Sequence, residues 1–130
     1  MIVELTPETY FESVTIEVPL HVVMHYGATC GPCKRTMPIY ETVYSHFLEH
    51  KVTNVKFYRF HQWEQSYKEF IEVNNLKTSG VPTFKYFYFG ELVTEQTKSY
   101  SDANLLKKDI IEVIQIIEKN IGEFDLYATN

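Results

Sequence analysis

The chain has 130 residues and a mass of 15.3 kDa, enough for one compact domain and too few for two conventional cores. Its 45% hydrophobic and 22% charged residues are close to globular averages, and 10 Tyr and 9 Phe supply large core side chains, so wholesale disorder is excluded. The formal charge of −5 gives no electrostatic footprint for nucleic acid or an anionic membrane surface, and neither is an expected partner.

The first predicted elements are a strand, a helix and a second strand. Residues 2–5 are β-prone, and Thr6, Pro7 and Glu8 then supply an N-cap, a proline at the first helical position and an early acid. A helix is therefore predicted over about residues 7–15. Residues 20–26 are rich in β-branched and aromatic side chains and stop at Gly27, which predicts a central strand.

The middle of the chain continues to alternate helices with strands. From residue 30 to about residue 50, apolar side chains recur at three- and four-residue steps, which predicts a helix that Pro38 bends. Residues 55–60 predict a buried strand. Residues 63–74 carry helical spacing and end at a polar stop, Asn74-Asn75.

The last third predicts a hairpin followed by a helix. Residues 83–89 and 92–97 read as two strands joined at Gly90, and the final helix runs from residue 101 to a C-cap at Gly122. This order predicts one α/β domain over residues 1–122, with three layers and a mixed central sheet of about five strands and about four helices. Residues 123–130 form an acidic tail that is expected to be frayed.

The chain contains only two cysteines, Cys30 and Cys33, separated by two residues. A bond between them closes a ring of about four residues and stabilises the fold by only about 2 kcal/mol in the chain-entropy model. Such a bond suits making and breaking better than holding a fold together. With no leader-like pattern and no apolar stretch long enough for a bilayer, we expect a soluble, cytosolic protein.

The cysteines stand where a loop feeds a helix, so the Cys30 sulfur is expected at the helix N-terminus, whose unpaired N–H groups favour a thiolate. Pro32 fits the first turn because its missing N–H would have no partner there, and Gly31 lets another backbone approach. Cys33 lies one turn along, near enough to attack a mixed disulfide at Cys30. A lower pKa of the Cys30 thiol raises its thiolate fraction but also lowers the nucleophilicity of that thiolate. The net gain in reaction rate is only roughly threefold, so positioning of the substrate must supply the rest of the rate enhancement.

Three spaced motifs occur in order along the chain: Thr29-Cys30-Gly31-Pro32-Cys33-Lys34 with Pro38 downstream, Gly80-Val81-Pro82-Thr83, and Phe89-Gly90-Glu91. Together with the order of the predicted elements, they resemble the thioredoxin family over nearly the whole chain. The resemblance implies the thioredoxin fold and a thiol–disulfide oxidoreductase of the protein-disulfide reductase type. It implies catalytic roles for Cys30 and Cys33, with support from Gly31, Pro32, Lys34 and Pro82 and substrate contacts at Thr29, Gly80 and Val81.

The same resemblance implies further properties. Pro82 is expected to be a cis proline packed against the cysteine pair, and Val81 to offer backbone hydrogen bonds to an extended substrate segment. No bound cofactor is expected beyond the redox-active disulfide, whose electrons would come from an upstream reductase of the thioredoxin-reductase type. Protein disulfides are the expected substrates, and the chain is expected to be a monomer.

Three departures from the family pattern bear on function. Thr29 stands where a Trp is usual, which removes a flat apolar flank from the substrate surface. Met24 and Phe57 replace a buried Asp and Lys, so the usual proton acceptor for Cys33 is missing and a slower resolving step is predicted. A glycine after the last strand is also absent. These losses keep open an alternative, a thioredoxin-fold protein-binding module with weak or no redox activity.

A zinc site also has to be considered, because Cys30, Cys33, His46 and His50 have zinc-finger spacing. If all four share one helix, Cys33 and His46 lie about 20 Å apart, which one tetrahedral ion cannot span. No metal site is therefore expected.

The other histidines are interpreted as structural. His21 and His25 share one face of a predicted strand, and His61 ends the next strand. The alternating aromatic residues at 84, 86 and 88 are interpreted as core or sheet surface.

Overall fold

A computed structural model describes residues 2–16 and 18–122, and the predicted acidic tail at 123–130 lies outside the described residues. A five-stranded mixed sheet lies between two pairs of helices. In chain order the elements are β1 (Val3–Leu5), α1 (Tyr10–Val14), β2 (Leu20–Tyr26), α2 (Gly31–Glu49), β3 (Val55–His61), α3 (Lys68–Val73), β4 (Thr83–Tyr88), β5 (Glu91–Thr97) and α4 (Ala103–Asn120).

The strand order across the sheet is β1-β3-β2-β4-β5. Strands β1, β3 and β2 are parallel, while β4 runs antiparallel to both β2 and β5. Strand β2 lies at the centre, where Met24 is opposite Arg59 on one side and Phe84 on the other. Burial on both faces explains why five of its seven side chains are neither charged nor histidine, and its two histidines are buried as well.

The two faces of the sheet carry separate cores, and β2 contributes to both by alternation. Val22 and Met24 pack on the side of α2 and α4, which also buries the two cysteines. Val23 packs with residues of α1 and α3 on the opposite side. The three-layer α/β/α architecture and mixed sheet predicted from the sequence are confirmed.

Helix α2 is fastened to the sheet through one buried tyrosine. The Tyr40 hydroxyl lies 2.7 Å from the carbonyl oxygen of Tyr58 and 3.1 Å from that of Val22, and accepts a hydrogen bond from the Tyr58 N–H. Because these groups belong to β3 and β2, one tyrosine ties the helix to both strands, and β2 is the strand that leads into the helix N-terminus. Helix α2 continues without interruption through Pro38.

Two predicted helices differ in their starts. Helix α1 begins at Tyr10 rather than at residue 7, because a turn closed by the bond from the Thr6 N–H to the Thr9 hydroxyl precedes it. The helix predicted over residues 63–74 is a 3₁₀ turn, Gln65–Tyr67, followed by α3. The side chain of Glu64 caps that turn by accepting from the Ser66 N–H, so the preceding residue, Trp63, lies outside the helix.

Helix α4 begins and ends with local caps. The Asp102 carboxylate accepts a hydrogen bond from the Asn104 N–H at 2.8 Å. At the other end Ile121 is the C-cap, and Gly122, predicted for that position, follows it and donates to the Ile117 carbonyl at 3.3 Å. Within residues 2–16 and 18–122, no helix is long and apolar enough to cross a membrane.

Candidate active site

The cysteine pair lies at the N-terminus of α2, beyond the end of β2. Cys30 is the N-cap residue and Cys33 lies in the first turn, and the two side chains form a disulfide with a Cα–Cα distance of 5.2 Å. The backbone N–H of Cys33 donates a hydrogen bond to Sγ of Cys30 at 3.1 Å. In the reduced protein the same donor and the helix N-terminus stabilise negative charge on that sulfur.

The two cysteines differ slightly in depth. Cys30 is 5% exposed and Cys33 is 2% exposed, and both contact the core beneath α2. Cys30 is therefore the less deeply buried of the two residues. This order of depth fits Cys30 as the first sulfur to react and Cys33 as the second.

The loop before Cys30 is held by its own backbone and by a histidine from β3. The Cys30 N–H donates to the Gly27 carbonyl at 3.1 Å, and the Ala28 N–H donates to Nε2 of His61 at 3.0 Å. The Glu64 carboxylate lies 4.0 Å from the other ring nitrogen of His61. Sequence reasoning placed His61 at a strand end but missed this role, because the partner lies 33 residues away.

A second loop faces the pair from the start of β4. The Val81–Pro82 peptide bond is cis, as predicted, and the Val81 carbonyl oxygen lies 3.7 Å from Sγ of Cys30. The hydroxyls of Thr78 and Thr83 both donate to the Gly80 carbonyl, at 2.6 and 2.7 Å. The backbone beside the sulfur is therefore fixed by side chains at both ends of the loop.

A chain of buried and partly buried hydrogen bonds connects this loop to α1. The Tyr10 hydroxyl bonds to Nε2 of His25 at 2.7 Å, Nδ1 of His25 to Oε1 of Gln62 at 2.9 Å, and the Thr78 hydroxyl to the same oxygen at 3.0 Å. Burial lowers the pKa of His25 to about 3, and nearby Lys85 acts in the same direction, so the imidazole is neutral at physiological pH.

His21 is also neutral by burial, which lowers its pKa below the ordinary value. Its ring bonds to the Ile16 carbonyl at 2.8 Å and the Tyr58 hydroxyl at 3.0 Å. His21 and His25 thus lie within the sheet, as interpreted from the sequence.

The core beneath the cysteines is apolar at positions 24 and 57. Met24 is fully buried and Phe57 nearly so, and both belong to the same core cluster as Cys33. Neither side chain accepts a proton. A proton from the Cys33 thiol therefore has no acceptor at either position.

The zinc-finger spacing does not correspond to a zinc-binding arrangement. His46 lies on α2 with Nδ1 3.0 Å from Nζ of Lys107, and His50 caps the helix end with Nδ1 bonded to the His46 carbonyl at 2.8 Å. Residues 2–16 and 18–122 contain no group of three or more His, Cys, Asp or Glu side chains placed to hold a metal ion.

The other predicted site residues surround the pair at different depths. Thr29 and Lys34 are exposed, Gly31, Pro32, Gly80 and Val81 are half-buried, and Pro82 is buried. A groove of about 610 Å³ opens beside Thr29 and is also lined by Trp63. Sequence reasoning assigned Trp63 to a helix. The available signal was a lone tryptophan two residues past the end of a strand.

Comparisons with known proteins agree with this geometry. A family model described as Thioredoxin matches residues 1–115. The short form of spinach chloroplast thioredoxin f is 25% identical with a TM-score of 0.68, over 86% of this chain and 92% of the spinach chain. The oxidised thioredoxin of Plasmodium falciparum is 23% identical with a TM-score of 0.66, over 86% and 97%.

A further similar structure is described as a complex of ferredoxin:thioredoxin reductase and thioredoxin f2. The matching chain is 24% identical with a TM-score of 0.67, over 85% of this chain and 93% of that one. No curated protein sequence matches this chain.

Proposed function

The chain belongs to the thioredoxin family, and on that premise we propose that it reduces disulfide bonds in other proteins. Members of this family are thiol–disulfide oxidoreductases that use a redox-active disulfide without a bound cofactor, and Cys30–Cys33 is that disulfide here. The observation that carries the proposal is the Cys30 sulfur, placed at a helix N-terminus with the Cys33 N–H at 3.1 Å and the Val81 carbonyl at 3.7 Å.

The first step forms a mixed disulfide. The Cys30 thiolate attacks one sulfur of the substrate disulfide, so the Cys30–substrate bond forms while the substrate S–S bond breaks. The departing substrate thiolate takes a proton from solvent. Val81 provides a backbone edge beside the attacking sulfur, where an extended substrate segment would pair.

The second step releases the substrate. Cys33, as its thiolate, attacks Sγ of Cys30, the intramolecular disulfide forms, and the second substrate sulfur leaves and is protonated. The substrate has then gained two electrons and two protons, and the cysteine pair has been oxidised. Because Met24 and Phe57 offer no proton acceptor, Cys33 loses its proton to water or to a group of the bound substrate.

Turnover requires a partner that returns two electrons to the disulfide. A thioredoxin f2 that this chain resembles is described in complex with ferredoxin:thioredoxin reductase. We propose a disulfide reductase as the electron donor for this chain as well. The cytosolic location and the monomeric state stay predictions, which cell fractionation and analytical ultracentrifugation test.

Reduction of insulin disulfides in the presence of dithiothreitol tests the proposed function. The wild-type chain is expected to accelerate precipitation of the insulin B chain, and Cys30→Ser to leave it at the rate of dithiothreitol alone. Leu48→Ala is a suitable control, because Leu48 is exposed at the far end of α2. Equal background rates for wild type and Cys30→Ser would instead support the binding-module alternative.

A further inference from the structure

The only tryptophan in the sequence lies beside the cysteine loop. Trp63 follows β3, and its indole ring lies so close to Gly27 that a Cβ at Gly27 would overlap Cε3 and Cδ2 of the ring. Gly27 in turn accepts the hydrogen bond from the Cys30 N–H. The tryptophan therefore contacts the segment that positions the attacking sulfur.

The backbone on either side of Trp63 is hydrogen-bonded, to the end of β2 on one side and within its own turn on the other. The Gln62 N–H donates to the Tyr26 carbonyl at 2.9 Å, and the Glu64 N–H donates to the His61 carbonyl at 3.2 Å. His61 also accepts from the Ala28 N–H. These bonds fix the backbone that carries Trp63, while half of the surface of that residue, 50%, remains exposed.

The exposed part of the indole lines the groove of about 610 Å³ together with Thr29. Ile71, also in the lining, is buried, whereas Lys68 and Lys77 are exposed. Acidic residues also line the groove, so its charged groups are of both signs. Charged side chains of both signs do not favour a strongly charged ligand. The indole is the large apolar surface in the groove.

We propose that Trp63 is a substrate-binding residue whose exposed indole receives an apolar side chain next to the substrate cysteine that Cys30 attacks. This rests on the proposed function. The groove is continuous with the cysteine site, since Thr29, which lines the groove, immediately precedes Cys30. A substrate side chain is therefore the expected occupant. The short side chain of Thr29 leaves the indole uncovered, and Trp63 thereby supplies an aromatic flank from a different loop.

Kinetics with two classes of disulfide test the assignment. For a peptide disulfide with leucine beside each cysteine, Trp63→Ala is expected to lower kcat/KM about tenfold, mainly through KM. For bis(2-hydroxyethyl) disulfide, which is too small to reach the groove, the rate should stay within about twofold. Leu48→Ala truncates a comparably exposed apolar residue and should leave both rates unchanged.

A second variant reaches the same surface without removing the tryptophan. Gly27→Ala places a methyl group where the indole lies, so the ring must move, and the peptide rate should fall as in Trp63→Ala. Peptide rates equal to wild type in both variants would overturn the assignment. Absence of activity toward both the peptide and the small disulfide in wild type would overturn the proposed function itself.

Fluorescence reports on Trp63 without altering the groove. The signal is specific because the protein has one tryptophan. In Cys33→Ser protein, a mixed disulfide is formed at Cys30 with 2-mercaptoethanol, or with a pentapeptide carrying leucine or glycine on both sides of one cysteine. The leucine adduct is expected to shift emission to the blue and reduce acrylamide quenching about twofold relative to the other two. Equal quenching in all three adducts would refute the role of Trp63.

Discussion

The backbone N–H of Cys33 lies 3.1 Å from Sγ of Cys30, so the resolving residue also supports the sulfur that attacks. Its two contributions are separable, because one comes from the main chain and the other from the side chain. A substitution of the Cys33 side chain retains the N–H donor while removing the second nucleophile.

Cys33→Ser is therefore expected to attack a disulfide but not to complete the reaction. Incubated with a protein disulfide, it should accumulate a mixed disulfide through Cys30 that mass spectrometry detects, and its turnover should fall to background. Cys30→Ser serves as the control and should form no such adduct at position 33 within the same time, since Cys33 is 2% exposed. Turnover by Cys33→Ser at the wild-type rate would contradict the two-step scheme.

Met24→Asp tests whether the missing proton acceptor limits resolution. The carboxylate would enter the apolar core that contains Cys33, where it can accept the thiol proton, so insulin reduction at pH 7 should speed up. Burial of an unpaired carboxyl group should lower stability by about 2 kcal/mol or more. Met24→Leu, which conserves volume, should retain the wild-type rate, and an unchanged or lower rate for Met24→Asp counts against the explanation.

The buried His25 predicts a pH dependence of stability. Burial lowers the pKa of His25 to about 3, below the ordinary value, so the unfolded chain binds more protons between about pH 6.5 and pH 3. Stability is therefore lost as the pH falls through that window. Between pH 7 and pH 5 this one residue should reduce the free energy of unfolding by about 2 kcal/mol.

His25→Gln isolates that contribution, because glutamine does not titrate but still offers a donor and an acceptor for the Tyr10 and Gln62 partners. Urea unfolding at pH 7 and pH 5 should show a smaller loss for the variant than for wild type. His21 and the carboxylates are present in both proteins and cancel in the difference. Equal losses would show that His25 is not the titrating group.

Thr78 is expected to position the loop beside Cys30. Thr78→Val removes a hydroxyl that donates to the Gly80 carbonyl and bonds to Gln62, which should cost about 1 kcal/mol of stability and raise KM for a protein disulfide about fivefold. Reactivity toward bis(2-hydroxyethyl) disulfide should change less, since that substrate needs no backbone edge. Ser79→Ala, one residue along, removes a hydroxyl not bonded to Gly80 and is the control. A wild-type KM for Thr78→Val would refute the positioning role.

The sequence predicted best those elements whose signals are local. The buried run that forms Leu20–Tyr26 and the capped helix Gly31–Glu49 were placed within a residue of their observed ends. The hairpin around Gly90 was also recognisable from neighbouring residues. The cysteine pair and the cis peptide before Pro82 followed from motif spacing and the family resemblance.

The surroundings of the pair could not be predicted in the same way, because they depend on contacts between distant segments. Trp63 and Gly27 are 36 residues apart in the sequence. They are in contact only because parallel pairing places the ends of β2 and β3 side by side. The bond between His25 and Gln62 spans 37 residues for the same reason. The start of α3 was also mispredicted. The Glu64 side chain caps a 3₁₀ turn at Gln65–Tyr67, whereas periodicity alone predicted an α-helix there.

The rate at which Cys30 is alkylated tests the central claim most directly. Reduced protein is treated with iodoacetamide from pH 5 to pH 9, and mass spectrometry assigns the label to position 30 or 33. At pH 7 the native protein should be labelled at Cys30 about threefold faster than a short unstructured cysteine peptide, with Cys33 much slower. Labelling of Cys30 no faster than the peptide, or only after unfolding, would contradict an ionised, accessible sulfur at the start of α2.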